Sequence, residues 1–195
     1  MTPRDGLRKL AGGRKTVRRF RHETPPLEDL LYALEVAKEA PSGMNAQPWR
    51  FLVVDSPELK GRIRAACEAA ERAFHAKVRG EWGEWLREKG FTPDKPFLTE
   101  APYLILVFAR SEAPFWLQST WLAIGYVLLA LEERGLSTVT YTPPDPKAIG
   151  ELVGPPEGHK LQTILPVGLP ADPKPKYQRK GLEEVVAFNR FPTEA

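Results

Sequence analysis

Hydrophobic positions change period from one stretch of the chain to the next, and those changes mark out the elements. Leu27, Leu30, Leu31, Leu34 and Ala37 recur at helical spacing just after Pro25-Pro26. They predict an amphipathic helix that ends near Ala40, ahead of Pro41 and Gly43. Residues 49–55, with Phe51, Val53 and Val54, favour extended backbone and predict a strand. Ser56-Pro57-Glu58 places an N-cap before a first-turn proline and opens a long helix through Val78. Residues 79–100 interleave Trp82 and Trp85 with charges and with Gly80, Gly83, Gly90, Pro93 and Pro96. That composition predicts a partly irregular, mobile stretch that could close over a substrate. Residues 102–109 form an unbroken apolar run, as in a strand buried on both faces.

Residues 115–133 carry Trp116, Leu117, Trp121, Leu122, Ile124, Tyr126, Val127 and Leu131 around nearly the whole helical circumference. A helix apolar on every side sits either at the centre of a monomer or under a second subunit, and in a domain this small it reads as a dimer interface. Arg134-Gly135 ends it. A strand over 136–141, a short helix over 146–153, a strand over 161–169 interrupted by Pro166, and a last short helix or strand over 181–188 complete the reading. Helices and strands mix without strict alternation, so the fold class is α+β, with residues 1–195 as one domain.

Composition narrows the function. At 195 residues and 42% hydrophobic, the chain can bury a substantial core. One cysteine, Cys67, and three scattered histidines exclude an internal disulfide framework and a cysteine-based metal site. No apolar run approaches the roughly 18 residues of a membrane span, so a cytoplasmic protein with no membrane partner is expected. The net charge of +3 is mild but uneven. Arg4, Arg8, Lys9, Arg14, Lys15, Arg18, Arg19 and Arg21 crowd the N-terminus against a single Asp5. No aromatic stacking run accompanies them, so nucleic acid is not the expected partner, and a basic nucleic-acid module is only a distant alternative.

Nucleophile elbows, phosphate-binding P-loops and zinc signatures are absent, which points to a cofactor as the carrier of the chemistry. Three clusters bear on its nature. Arg14, Lys15, Thr16 and Arg18 could converge on one phosphate, or could be a solvated basic arm. Pro41, Ser42, Gly43 and Asn45 lie between a helix end and a strand start and could line a flat heterocycle, or form an ordinary turn. Thr140, Tyr141 and Thr142 close a strand, where hydroxyls could meet a ring nitrogen, and Arg179 in the tail could add a further phosphate contact.

In order along the chain, R-K-T-V-R, A-P-S-G-M-N-A-Q-P-W and the terminal R-K-G-L-E resemble the FMN-dependent nitroreductase family. The resemblance implies a central mixed sheet flanked by helices and an intertwined homodimer with two interfacial flavins. It implies that Arg14, Lys15, Thr16 and Arg18 hold the FMN phosphate and ribityl chain, with Arg179 assisting. Pro41, Ser42, Gly43 and Asn45 would line the ring from the partner, and Thr140, Tyr141 and Thr142 would lie along its other edge. The activity expected is that of an NAD(P)H oxidoreductase. NADH or NADPH reduces the flavin, and a small-molecule acceptor (a nitroaromatic, quinone or free flavin) then takes the electrons. Within the family, V-T-Y-T-P is most like the iodotyrosine deiodinase branch, where a threonine beside flavin N5, here Thr142, favours one-electron steps. That branch holds a zwitterionic amino acid with a Glu, a Tyr and a Lys. Glu71 and Lys95 fall at comparable places, and His75 stands where the tyrosine would be.

Overall fold

The computed structural model of the chain describes residues 5–191, so Arg4 of the basic arm lies outside the described residues. Four strands, β1 (Trp49–Val54), β2 (Tyr103–Arg110), β3 (Ser137–Thr138) and β4 (His159–Gly168), form one sheet in the order β1-β2-β4-β3. All three ladders are antiparallel, and a single parallel bridge from Thr16 to Thr138 joins the N-terminal arm to the sheet. The helices are α1 (Gly6–Gly13), α2 (Leu27–Lys38), α3 (Pro57–Lys77), α4 (Gly80–Glu88), α5 (Phe97–Glu100), α6 (Trp116–Glu133), α7 (Pro146–Val153) and α8 (Leu182–Val185).

Strand β2 is apolar throughout because both its faces are covered. Leu104, Leu106 and Phe108 pack with Ile63 and Cys67 of α3, Leu98 of α5 and Ile149 of α7. The alternate residues Tyr103, Ile105 and Val107 pack with α2 through Leu30, Ala33 and Ala37, and with α6 through Ile124, Val127 and Leu131. The result is three layers, helices on either side of the sheet, as period-two alternation between two apolar faces requires.

Three local expectations change. First, the 79–100 stretch contains the regular helix α4, because its glycines punctuate the helix rather than break it. Gly90, at φ +66, ends it with a Schellman pair: its N–H donates to the Arg87 carbonyl (3.0 Å) and Phe91 N–H to that of Leu86 (2.8 Å). Second, β4 runs through Pro166, and it is the neighbouring strand that breaks. The antiparallel register of β3 places Val139 opposite Pro166, which has no N–H to give, so pairing lapses and resumes only at the Tyr141–Ile164 bridge. Third, the apolar circumference of α6 is not wholly buried within one chain, which leaves out the reading of a helix central to a monomer. Phe115, Leu117, Trp121, Leu122 and Tyr126, each at least 37% exposed, leave an apolar stripe bare.

Candidate functional site

The N-terminal arm is pinned, not free. Val17 is fully buried and its N–H donates to the Thr138 carbonyl (3.1 Å), so the alternate residues Thr16 and Arg18 turn outward. There they meet the Pro- and Lys-rich tail around a cavity of about 160 Å³ whose cations are Lys15, Arg18, Lys89, Lys174, Lys176 and Arg179. Lys15 Nζ donates to the carbonyls of Asp172 (2.8 Å) and Lys174 (2.6 Å). Asp172 Oδ2 accepts Arg18 N–H (3.0 Å), and its Oδ1 accepts Lys174 N–H (3.0 Å). Burial opposes ionisation of Asp172, but those two backbone donors together with the Lys15 and Lys174 charges outweigh it and hold the carboxyl below its usual range. Burial also lowers the Arg18 guanidinium from its ordinary value, with Asp172 opposing. A half-buried cation of this kind gains from a bound anion. Arg179 is exposed and donates to the Tyr177 carbonyl (3.0 Å). Arg14 lines neither this cavity nor the next one; its charge acts on Glu132 instead.

A larger cavity of about 610 Å³ adjoins the first and shares Arg18, Gly90, Phe91 and Lys174 with it. This volume lies within the range of small-molecule sites. At its inner end the Glu71 carboxylate of α3, 8% exposed, is held on all sides. Oε2 stands 3.3 Å from Lys95 Nζ and 3.5 Å from His75 Nε2, one helical turn further on. Oε1 accepts the Tyr141 hydroxyl at 3.0 Å. Lys95, 7% exposed, also donates to the Thr92 carbonyl, and its backbone N–H donates to Glu68 Oε1 (2.8 Å). Burial first, then the neighbouring Cys67 and Glu71, pushes the Tyr141 phenol well above its ordinary value, so it is a neutral donor.

The strand end is set by β4. Between Leu161 and Thr163 the β2–β4 register slips at a bulge. Thr163 Oγ1 donates to the Tyr141 carbonyl (3.0 Å), and Thr142 Oγ1 to the Gln162 carbonyl (3.4 Å). Thr140 and Thr142 are exposed on the cavity wall, whereas the Tyr141 side chain turns inward to Glu71.

Residues 41–45 lie elsewhere. Pro41 and Asn45 border a separate cavity with Gln47, and Gly43 N–H donates to Ser119 Oγ of α6 (3.2 Å). A Cβ on Gly43 would lie 2.5 Å from Phe115 Cδ2, so only glycine fits that approach. Met44, Asn45 and Gln47 all have left-handed φ (54°, 54° and 42°), at a cost of about 1–3 kcal/mol each. This strained loop therefore sits beside the bare stripe of α6 and not in the cavity of its own chain.

Within one chain, then, Lys15, Thr16, Arg18 and Arg179 converge. Glu71, His75, Lys95, Thr140, Tyr141 and Thr142 form a second group that meets them at Arg18. Asp172, Lys174 and Lys176 escaped the sequence reading; only the lysine-rich tail hinted at the last two. The residues suit a phosphorylated, ring-bearing cofactor, with clustered cations for the anion and a roomy cavity edged by hydroxyls for the ring. Among the described residues no group of three or more His, Cys, Asp or Glu could hold a metal, and no helix is long and apolar enough to cross a membrane.

Fold and site thus define the class. The profile described as Nitroreductase family matches residues 11–169, and the chain belongs to that family. Among its relatives, an iodotyrosine deiodinase of Thermotoga neapolitana is 60% identical over 185 residues, covering 95% of this chain and 98% of that protein. One from Haliscomenobacter hydrossis is 36% identical, covering 86% and 81% respectively. A crystal structure of oxidised iodotyrosine deiodinase bound to FMN and 3-iodo-L-tyrosine superposes with a TM-score of 0.90 at 59% identity, covering 95% of this chain and all of that one.

These likenesses overturn the expected general NAD(P)H oxidoreductase acting on nitroaromatics, quinones or flavins, and favour the deiodinase branch. The physical reason for the error is that the motifs read from the sequence are cofactor motifs. The charged pair at the inner end of the cavity, Glu71 and Lys95, lies 24 positions apart in sequence and meets only in the fold.

Proposed function

We propose that two copies of the chain bind FMN and reductively remove halogen from a halogenated tyrosine-like amino acid. The observation that carries this reading is the Glu71–Lys95 pair, two opposite charges held ready at one end of a ring-sized cavity. A zwitterion replaces such a pair with two new ones, its ammonium on Glu71 and its carboxylate on Lys95, without leaving either charge buried alone. The relatives named above support the same substrate class.

Lys15, Thr16, Arg18 and Arg179 hold the phosphate and ribityl chain, with Arg14 nearby. Thr140 and Thr142 form one edge of the ring site, with the Tyr141 side chain between them turned inward to Glu71, and the Thr142 hydroxyl would serve as the hydrogen-bond partner of flavin N5. Pro41, Ser42, Gly43 and Asn45 line the ring from the second copy. That arrangement accounts for their distance from the cavity of their own chain and for the bare apolar stripe of α6 beside them. Residues 79–100 serve as the lid. Trp82, Trp85 and Phe91 stack with centroids 5.4 Å apart, and Phe91 reaches the cavity wall, an aromatic surface suited to a phenol ring.

FMN, once bound and reduced by an external donor, would supply two electrons and return to its oxidised form. The carbon–halogen bond breaks, halide leaves, and the carbon takes up a proton from solvent, giving the dehalogenated amino acid. The protein's own part is to orient the amino-acid head group, exclude water and donate hydrogen bonds to the ring edge. The test is to reduce the purified yellow protein chemically, add 3-iodo-L-tyrosine and measure iodide and tyrosine. Stoichiometric release of both is expected. Reoxidation by nitroaromatics with no iodide released would reject the proposal.

A further inference from the structure

Of the groups around Glu71, one is held in place far more firmly than its neighbours. The Tyr141 main chain is fixed three times: its N–H donates to the Ile164 carbonyl (3.0 Å), its carbonyl accepts Ile164 N–H (2.8 Å), and the same carbonyl accepts Thr163 Oγ1 (3.0 Å). Its ring packs edge-on against Phe97, centroids 5.5 Å apart, and Lys95 Nζ lies 5.9 Å from the ring centroid. The hydroxyl ends 3.0 Å from Glu71 Oε1. By contrast, Lys95 and His75 both approach Oε2 at longer range, so that oxygen is the one a newcomer can claim.

We infer that Tyr141 is a positioning residue for the amino-acid head group, its phenol locking one oxygen of Glu71 so that the other faces the cavity. The inference rests on the amino-acid reading above. It also assigns Tyr141 a role in substrate binding, on the opposite side of the backbone from the ring edge where Thr140 and Thr142 stand. Because Thr142 is the next residue, a single rigid peptide links the head-group site to the proposed N5 contact.

The test compares Tyr141→Phe with wild type as FMN-loaded protein, using 3-iodo-L-tyrosine and 2-iodophenol, which has no head group. Losing a hydrogen bond to a charged group should raise the Kd and KM for 3-iodo-L-tyrosine about tenfold or more. The kcat should stay within about twofold, and affinity for FMN and for 2-iodophenol should not change. Thr163→Val, which removes one of the two hydrogen bonds to the Tyr141 carbonyl without touching the phenol, should move Kd the same way by less, and it serves if Tyr141→Phe does not fold. Equal losses on both iodinated compounds, or a fall in FMN affinity matching the fall in substrate affinity, would overturn the inference. Binding is read on oxidised protein. A wild type that binds 3-iodo-L-tyrosine through Tyr141 but releases no iodide would therefore sink the dehalogenation and leave the head-group role standing.

Discussion

Cutting the Glu71–Lys95 pair one partner at a time separates its contribution to stability from its contribution to binding. At 3.3 Å and an effective dielectric near 20, the attraction is about 5 kcal/mol before desolvation. Both side chains are about nine-tenths buried, so much of that is offset by the water they gave up. Lys95→Met leaves the Glu71 carboxylate buried with Tyr141 and His75 as its remaining partners. Breaking a buried pair costs about 3–5 kcal/mol, and two retained partners place this case at the low end, near 3. For a chain of this size that corresponds to a melting temperature roughly 6–12 °C lower. The double variant Glu71→Gln/Lys95→Met removes both charges, and its amide oxygen still accepts the Tyr141 hydroxyl. It should melt within about 3 °C of wild type.

Substrate affinity should follow a different pattern, falling steeply in Lys95→Met and staying low in the double variant, since neither end of a zwitterion then finds its partner. Calorimetric melting and 3-iodo-L-tyrosine titration of the two FMN-loaded variants give both readings. If the double variant recovered affinity along with stability, the pair would be only a structural bridge. If Lys95→Met melted with wild type, the burial argument itself would fail.

Arg18→Ala should raise the Kd for FMN at least tenfold, by fluorescence titration, while the melting of the apo form shifts little, because Arg18 is only half-buried and its guanidinium lies 5.4 Å from the Phe91 ring. Trp121→Glu places a charge in the bare stripe of α6 and should give a monomer by sedimentation that no longer retains FMN; a yellow dimer would contradict the shared-site arrangement. Burial pushes the Cys67 thiol up to about 12, so the folded state keeps a proton that the unfolded chain loses earlier. That stability is fully present below about pH 9 and drains away as pH rises toward 12. Cys67→Ala should flatten this alkaline limb in a series of melts against pH.

How legible the molecule was follows from where each signal sits along the chain. The β2 run, the Ser56-Pro57 start of α3 and the Gly135 stop of α6 are local, so backbone chemistry alone announces them. The cation cluster at Lys15, Thr16 and Arg18 was equally local, but whether it was a free arm or an anion cradle depended on the distant tail that carries Asp172 and Lys174. Glu71 and Lys95 had no local signature, and only the resemblance put them forward. Tyr141 lies between two residues that share a face, and strand alternation turns its side chain inward to Glu71. The same period-two rule that explained β2 therefore places a phenol on Glu71. The Glu71–Lys95 contact, by contrast, joins α3 to the loop before α5, and no spacing rule connects the two.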